Sequence, residues 1–180
     1  IKQTVSVGYG TIYRYIKNVE ILPKYRKMWF GKRGGSKKRT VAIVNDFYKS
    51  LEFRRMIPVD GSQKVVSKLA RNHDLVVITS RPSDIQKETK EWVLKYFESS
   101  IKEVVSNGQY GVQESSMDKS DFCLSRGISL IIEDHLGIAQ KCAGKGISAF
   151  LLDKPWNRNG SLHPNVQRVS NWEEILEILK

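Results

Sequence analysis

LVVITSRP at residues 75–82 and ISLIIEDH at residues 128–135 share one construction. Each is a short apolar run, rich in β-branched residues, that breaks off into polar and charged groups; this is how a strand buried on both faces reads. Between and around them the period changes. Ile85, Thr89, Trp92, Val93 and Tyr96 recur at spacings of three and four, as do Val65, Val66 and Leu69, and both sets predict helices with one apolar face. Ile101–Val105 is a short strand candidate. Asp118 or Ser120 is placed to cap a helix through Arg126, closed by Gly127. A helix from about Leu136 to Ala143 leads through Gly144 and Gly146 to a strand over Ile147–Leu152. Trp172, Ile175, Leu176 and Leu179 share a face of a last helix that begins at Asn171. Alternating buried strands and helices predict an α/β fold, a Rossmann-like parallel sheet with helices on both faces. Ligands of such sheets sit beyond the carboxyl ends of the strands. Here those ends are Thr79-Ser80-Arg81, Glu133-Asp134 and Asp153-Lys154.

Residues 1–46 have a different character. The chain of 180 residues carries a net charge of +11. Residues 1–40 hold eleven bases against the single acid Glu20, a surplus of ten, so the remainder of the chain is nearly balanced. Such a block attracts phosphate, on nucleotides, on nucleic acid or on an acidic membrane face. Tyr9–Asn18 and Pro23–Phe30 have helical spacing, GKRGGSKK at residues 31–38 is a glycine-rich basic turn, and Val41, Val44, Phe47, Tyr48 and Leu51 resume a helical period. This segment is expected to be a small basic helical cap or arm without strands. No apolar run is long enough to cross a bilayer, and the opening residues do not form a leader, so a cytoplasmic, intracellular location is expected. Cys123 and Cys142 fall in helical segments and suggest no disulfide framework. His73, His135 and His163 lack the spacing of a zinc site.

The order of the polar strand ends carries the chemistry. A hydroxyl (Thr79) follows the first apolar run, a lysine (Lys119) stands about forty residues on before a helix, and an acidic pair (Glu133, Asp134) ends the next run. A hydroxyl with neighbouring N–H groups can hold a phosphate oxygen, a lysine can neutralise charge on a transferring phosphoryl group, and a carboxylate at a strand end can hold Mg²⁺. Each residue alone is more often an ordinary surface or strand-ending group. As an ordered set they point to phosphoryl chemistry.

These segments resemble motifs of the haloacid-dehalogenase superfamily. More narrowly, FYKSLEFRRMIPVDGSQKVVSKL (47–69) with LVVITSRP, DKSDFCLSRGISLIIEDH (118–135), LLDKPWNRN (151–159) and RVSNWEEILEIL (168–179) resemble its 5'(3')-deoxyribonucleotidase branch. The resemblance implies a hydrolase core over 47–180 that removes phosphate from a nucleotide, or another small phosphomonoester, with Mg²⁺ as cofactor and an aspartyl-phosphate intermediate. It implies that Thr79 binds the phosphoryl group, Lys119 stabilises its charge, Asp134 and Glu133 hold the metal, and Ser80 and Arg81 line the pocket. One element departs. The family has a D-x-D after its first strand, the first Asp attacking phosphorus and the second acting as acid and base. No D-x-D occurs in the sequence. Asp46 is a weak local candidate, and Asp60, in Pro58-Val59-Asp60-Gly61, reads as a turn residue. The motif is therefore expected to precede Ile1. The alternative is an inactive domain that binds nucleic acid or a ribonucleoprotein through residues 1–40.

Overall fold

The computed structural model describes residues 2–8, 46–81, 83–106 and 117–180. The chain divides into two compact units, residues 1–12 with 58–180, and residues 13–57.

The larger unit is built on a six-stranded sheet in which every pairing is parallel. Its strands are β1 (Gln3–Gly8), β2 (His73–Thr79), β3 (Glu103–Ser106), β4 (Leu130–Glu133), β5 (Ser148–Leu152) and β6 (Val166–Val169), in the order β3-β2-β1-β4-β5-β6. Thus β1 is central, with Gly8 opposite Ile78 on one side and Val7 opposite Ile132 on the other. The α/β expectation holds. Parallel strands need crossovers and cover on both faces, and the helices supply them. One face carries α2 (Ser62–Leu69), α3 (Gln86–Phe97) and α6 (Trp172–Ile178); the other carries α4 (Lys119–Ser125) and α5 (Leu136–Ala143). On the α4/α5 face, Val76, Ile78, Ile131, Ala149 and Leu151 from the sheet pack with Cys123, Ala139, Cys142 and Ala143 from the helices. Both cysteines are buried and free.

The helix ends follow from local chemistry. Asp118 caps α4, its carboxylate accepting from the Ser120 N–H at 2.9 Å, and Asn171 caps α6 by accepting from the Glu174 N–H at 2.9 Å. His135 caps α5 through Nδ1. Gly127, two residues beyond α4, has φ 63°, a left-handed value that favours glycine.

Two expectations need correction. Residues 1–46 are not without strands: Gln3–Gly8 is the middle of the sheet, and the compact units divide near residues 12 and 57, not at 46/47. The alternation of Val5 and Val7 with Thr4 and Ser6 looks like a half-solvated strand, yet Val5, Ser6 and Val7 are all fully buried. His73 begins β2. Within the smaller unit, a short helix, α1 (Leu51–Arg54), is described, with Phe53 stacked edge-on to Phe47 and Tyr48 at 5.9 and 5.3 Å. The expected helices over Tyr9–Asn18 and Pro23–Phe30, the basic turn at 31–38, and most of the proposed nucleic-acid arm lie outside the described residues. No described helix is long and apolar enough to cross a membrane.

Candidate functional site

Thr79 and Glu133 end the two strands that flank β1, so the candidate residues gather around the carboxyl end of the central strand. Lys119, the first residue of α4, reaches Glu133 and makes a close ion pair with its Oε1. Both partners are buried, at 6% and 2% exposure. Burial alone would disfavour the lysine's charge, but the Glu133 carboxylate outweighs it and holds the Lys119 pKa above its ordinary value.

Glu133 is fully engaged by the protein. Its Oε2 accepts from the backbone N–H groups of Asp134 (3.1 Å) and His135 (3.4 Å), while Oε1 holds Lys119. That leaves Asp134 as the carboxylate of the pair with side-chain oxygens to offer. Burial and the neighbouring Glu133 charge push its pKa up to about 6, against the pull of Lys119. Among the described residues no three His, Cys, Asp or Glu side chains cluster as a metal cage. Mg²⁺ commonly keeps several waters and takes one or two carboxylates plus substrate phosphate. Asp134 fits that role better than Glu133.

On the other flank Thr79 is buried, and its Oγ1 accepts from the Arg81 N–H at 3.2 Å. Ser80 lies between them. Arg81 is buried as well, its guanidinium donating to Thr89 Oγ1 at 3.5 Å and its carbonyl accepting from Ser106 Oγ at 2.5 Å. This ties the turn after β2 to α3 and to the end of β3. A turn fixed this way presents its groups in a set geometry, which favours anion binding at low reorganisation cost.

One strand lies between those that end at Thr79 and Glu133. That strand is β1, and it ends at Gly8, with Tyr9 and Gly10 following in sequence. The expectation that the D-x-D position precedes Ile1 is therefore corrected: the strand lying between the two groups is in the chain, and its last residue has no side chain. Asp46 is in the other compact unit, and Asp60 is in a turn as expected.

Residues that position the site emerge from the PWN segment. Asn157, at 2% exposure, donates from Nδ2 to the carbonyls of Asp134 (2.9 Å) and Leu152 (2.8 Å), and its Oδ1 accepts from the Lys154 N–H (3.1 Å) and Arg168 Nη1 (2.6 Å). Trp156 donates its indole N–H to the same Asp134 carbonyl at 3.2 Å. Asp153, where β5 ends, pairs with Arg158 and Arg168. In the sequence Asn157 is marked only by its place in LLDKPWNRN; two of its partners, Asp134 and Arg168, lie too far along the chain to infer.

No protein-family model matches the chain. Among curated proteins it is 29% identical over 136 residues to a 5'(3')-deoxyribonucleotidase of Bacillus subtilis (strain 168), covering 73% of this chain and 69% of that protein. It is 24% identical over 142 residues to a nucleotidase of Clostridium acetobutylicum, covering 75% and 67%. It spans 53% of the length of a Bacillus cereus relative, 23% identical over 110 residues. Solved structures that it resembles include a haloacid dehalogenase-like family hydrolase from Streptococcus pneumoniae (TM-score 0.69, 11% identity, 99% of both chains). A haloacid dehalogenase-superfamily hydrolase from Bacillus subtilis, bound to magnesium, superposes with a TM-score of 0.64 at 14% identity over 99% of both chains. The sheet, its strand-end residues and these likenesses agree: the chain has the haloacid-dehalogenase-like fold, and nucleotidases are among the proteins it resembles in sequence.

Proposed function

We propose that this domain is a nucleotidase-type phosphatase module that takes a nucleoside monophosphate, with Mg²⁺, at the carboxyl end of β1. The observation that carries the reading is the buried Lys119–Glu133 pair beside Asp134, on the strand next to β1, with Thr79 ending the strand on its other side. Lys119, oriented by Glu133, would form the floor of the site. The Thr79 hydroxyl and the Ser80 N–H would hold phosphate oxygens above it, in a turn that Arg81 fixes at the edge of the pocket, with Lys119 opposing their charge. Asp134 would hold Mg²⁺, which when bound supplies Lewis-acid stabilisation of phosphate charge. Glu133 orients Lys119 and the backbone of Asp134. The sequence relatives named as nucleotidases support a nucleotide as the phosphomonoester.

A second reading is favoured by one residue. An aspartyl-phosphate needs a carboxylate at the end of β1, and Gly8 has none. In this reading the domain binds the same phosphomonoester and does not turn it over. The deciding experiment measures phosphate release from a panel of nucleoside and deoxynucleoside monophosphates with Mg²⁺, and calorimetric binding of the same compounds. Wild type, Lys119→Ala and Gly8→Asp are compared. Release by wild type that Lys119→Ala slows at least about a hundredfold, roughly the loss of one strong electrostatic contact, supports turnover. Binding without release, with release appearing in Gly8→Asp, supports the second reading. Neither binding nor release by wild type sinks both.

A further inference from the structure

Trp156 is a large aromatic residue left 56% exposed, yet it is not loosely held. Its indole N–H donates to the carbonyl of Asp134 at 3.2 Å, so one edge of the ring is fixed to the backbone of the candidate site. The next residue, Asn157, is buried and anchored to the same carbonyl, to Leu152, to Lys154 and to Arg168. The Lys154–Asn157 turn is closed by the Asn157 N–H to the Lys154 carbonyl at 3.0 Å. An exposed indole costs hydration free energy that burial elsewhere would have avoided, and a ring held this firmly has already lost the freedom a ligand would otherwise have to remove. Its polar edge is satisfied by the site, and much of the ring remains open to solvent.

We propose that Trp156 is a specificity-determining residue: its ring forms a stacking platform for the base of a nucleoside monophosphate whose phosphate sits between Thr79 and Lys119. This rests on the function proposed above and adds to it the part of the substrate that is read. Every nucleobase has an aromatic face, so a platform of this kind selects nucleotides over sugar phosphates and discriminates little among bases.

The test compares binding of thymidine 5'-monophosphate, ribose 5-phosphate and inorganic phosphate, each with Mg²⁺, to wild type, Trp156→Leu and Trp156→Phe by calorimetry. Thermal unfolding of each variant is followed in parallel. Stacking predicts that Trp156→Leu weakens the nucleotide about tenfold, in keeping with loss of one base–aromatic stack. It leaves ribose 5-phosphate and phosphate within about twofold of wild type, the spread expected of groups that do not touch the ring. Trp156→Phe, which keeps an aromatic face, recovers most of the loss. Equal weakening of all three ligands would overturn the proposal, placing Trp156 in the support of Asp134 instead. So would an unchanged nucleotide affinity in Trp156→Leu. Wild type that binds none of the three overturns the function proposed above, and this inference with it. Wild type that binds nucleotide no better than ribose 5-phosphate overturns this inference alone.

Discussion

Lys119→Met removes a buried ammonium and keeps most of the volume of its stem. Glu133 is then left with its charge inside the protein, at 2% exposure. Breaking a buried pair from one side costs about 3–5 kcal/mol, because the surviving charge has lost its partner and cannot regain water. Glu133 keeps two backbone N–H donors on Oε2, which places the expected loss near the lower end, about 3 kcal/mol. For a chain of this length each kcal/mol moves the melting temperature by about 2–4 °C, so the fall should be roughly 6–12 °C. The double variant Lys119→Met/Glu133→Gln should recover at least about 2 kcal/mol, since the amide oxygen can still accept from Asp134 and His135 without an unpaired charge. Urea unfolding at pH 7, followed by circular dichroism, gives both values. A single variant within about 1 kcal/mol of wild type, or a double variant no better than the single, would refute the reasoning.

Three further outcomes are expected. Asp134→Ala should abolish the Mg²⁺ binding that calorimetry detects in wild type, while Glu133→Gln should weaken it less; equal binding by wild type and Asp134→Ala would contradict the assignment. The hydrogen bond from Lys141 holds the Asp118 pKa down at about 2 from 3.8. A depressed carboxyl pKa stabilises the fold above about pH 4 and loses that contribution as pH falls towards 2. Lys141→Ala should therefore lower stability slightly at pH 7, the pair being largely solvated, and that loss should shrink as pH falls through about 2, by urea titration across that range. Asn157→Ala should cost about 2–3 kcal/mol, because it removes a buried amide that donates to the Asp134 and Leu152 carbonyls and accepts from Lys154 N–H and Arg168; a melting temperature unchanged from wild type would show that water replaces the amide.

What could be read in the sequence follows from how far apart the interacting residues lie. The strands β2, β4 and β5 announce themselves by apolar runs, Leu75–Ile78, Leu130–Ile132 and Ala149–Leu152, that are buried because both sheet faces are covered. The helices α3, α5 and α6 show their period for the opposite reason, having one wet face. By contrast, β1 carries Ser6 at a fully buried position, and Thr4 adds to its disguise. Its burial is imposed by neighbours 70 and more residues away, which no local pattern records. β6, with Gln167 exposed and Arg168 turned to Asp153 and Asn157, escaped for a similar reason. At the site, Thr79, Lys119 and the acidic pair were legible as strand-end and helix-start residues. The division of labour within the pair was not. Only the geometry shows Glu133 spent on Lys119 and on backbone N–H groups, which leaves Asp134 as the carboxylate with oxygens to offer.

The central place of β1 also bears on how the chain acquires its structure. Gln3 pairs with His73, and Val5 with Leu130, so the strand that is translated first of the six becomes flanked on both sides only after β4 has been made. At a synthesis rate of about 5–20 residues per second, the interval between β1 and its first partner is roughly 4–14 s. For that time Val5 and Val7 have no strand to lie against, and a nascent chain in this state is a substrate for chaperones or for mispairing with other strands. Sheets closed through such distant contacts also fold slowly once complete. A polar Ser6 inside the strand and Lys2 at its start lower the tendency of this waiting strand to associate with its own kind. The composition that hides β1 from a reader of the sequence thus also guards it on the ribosome.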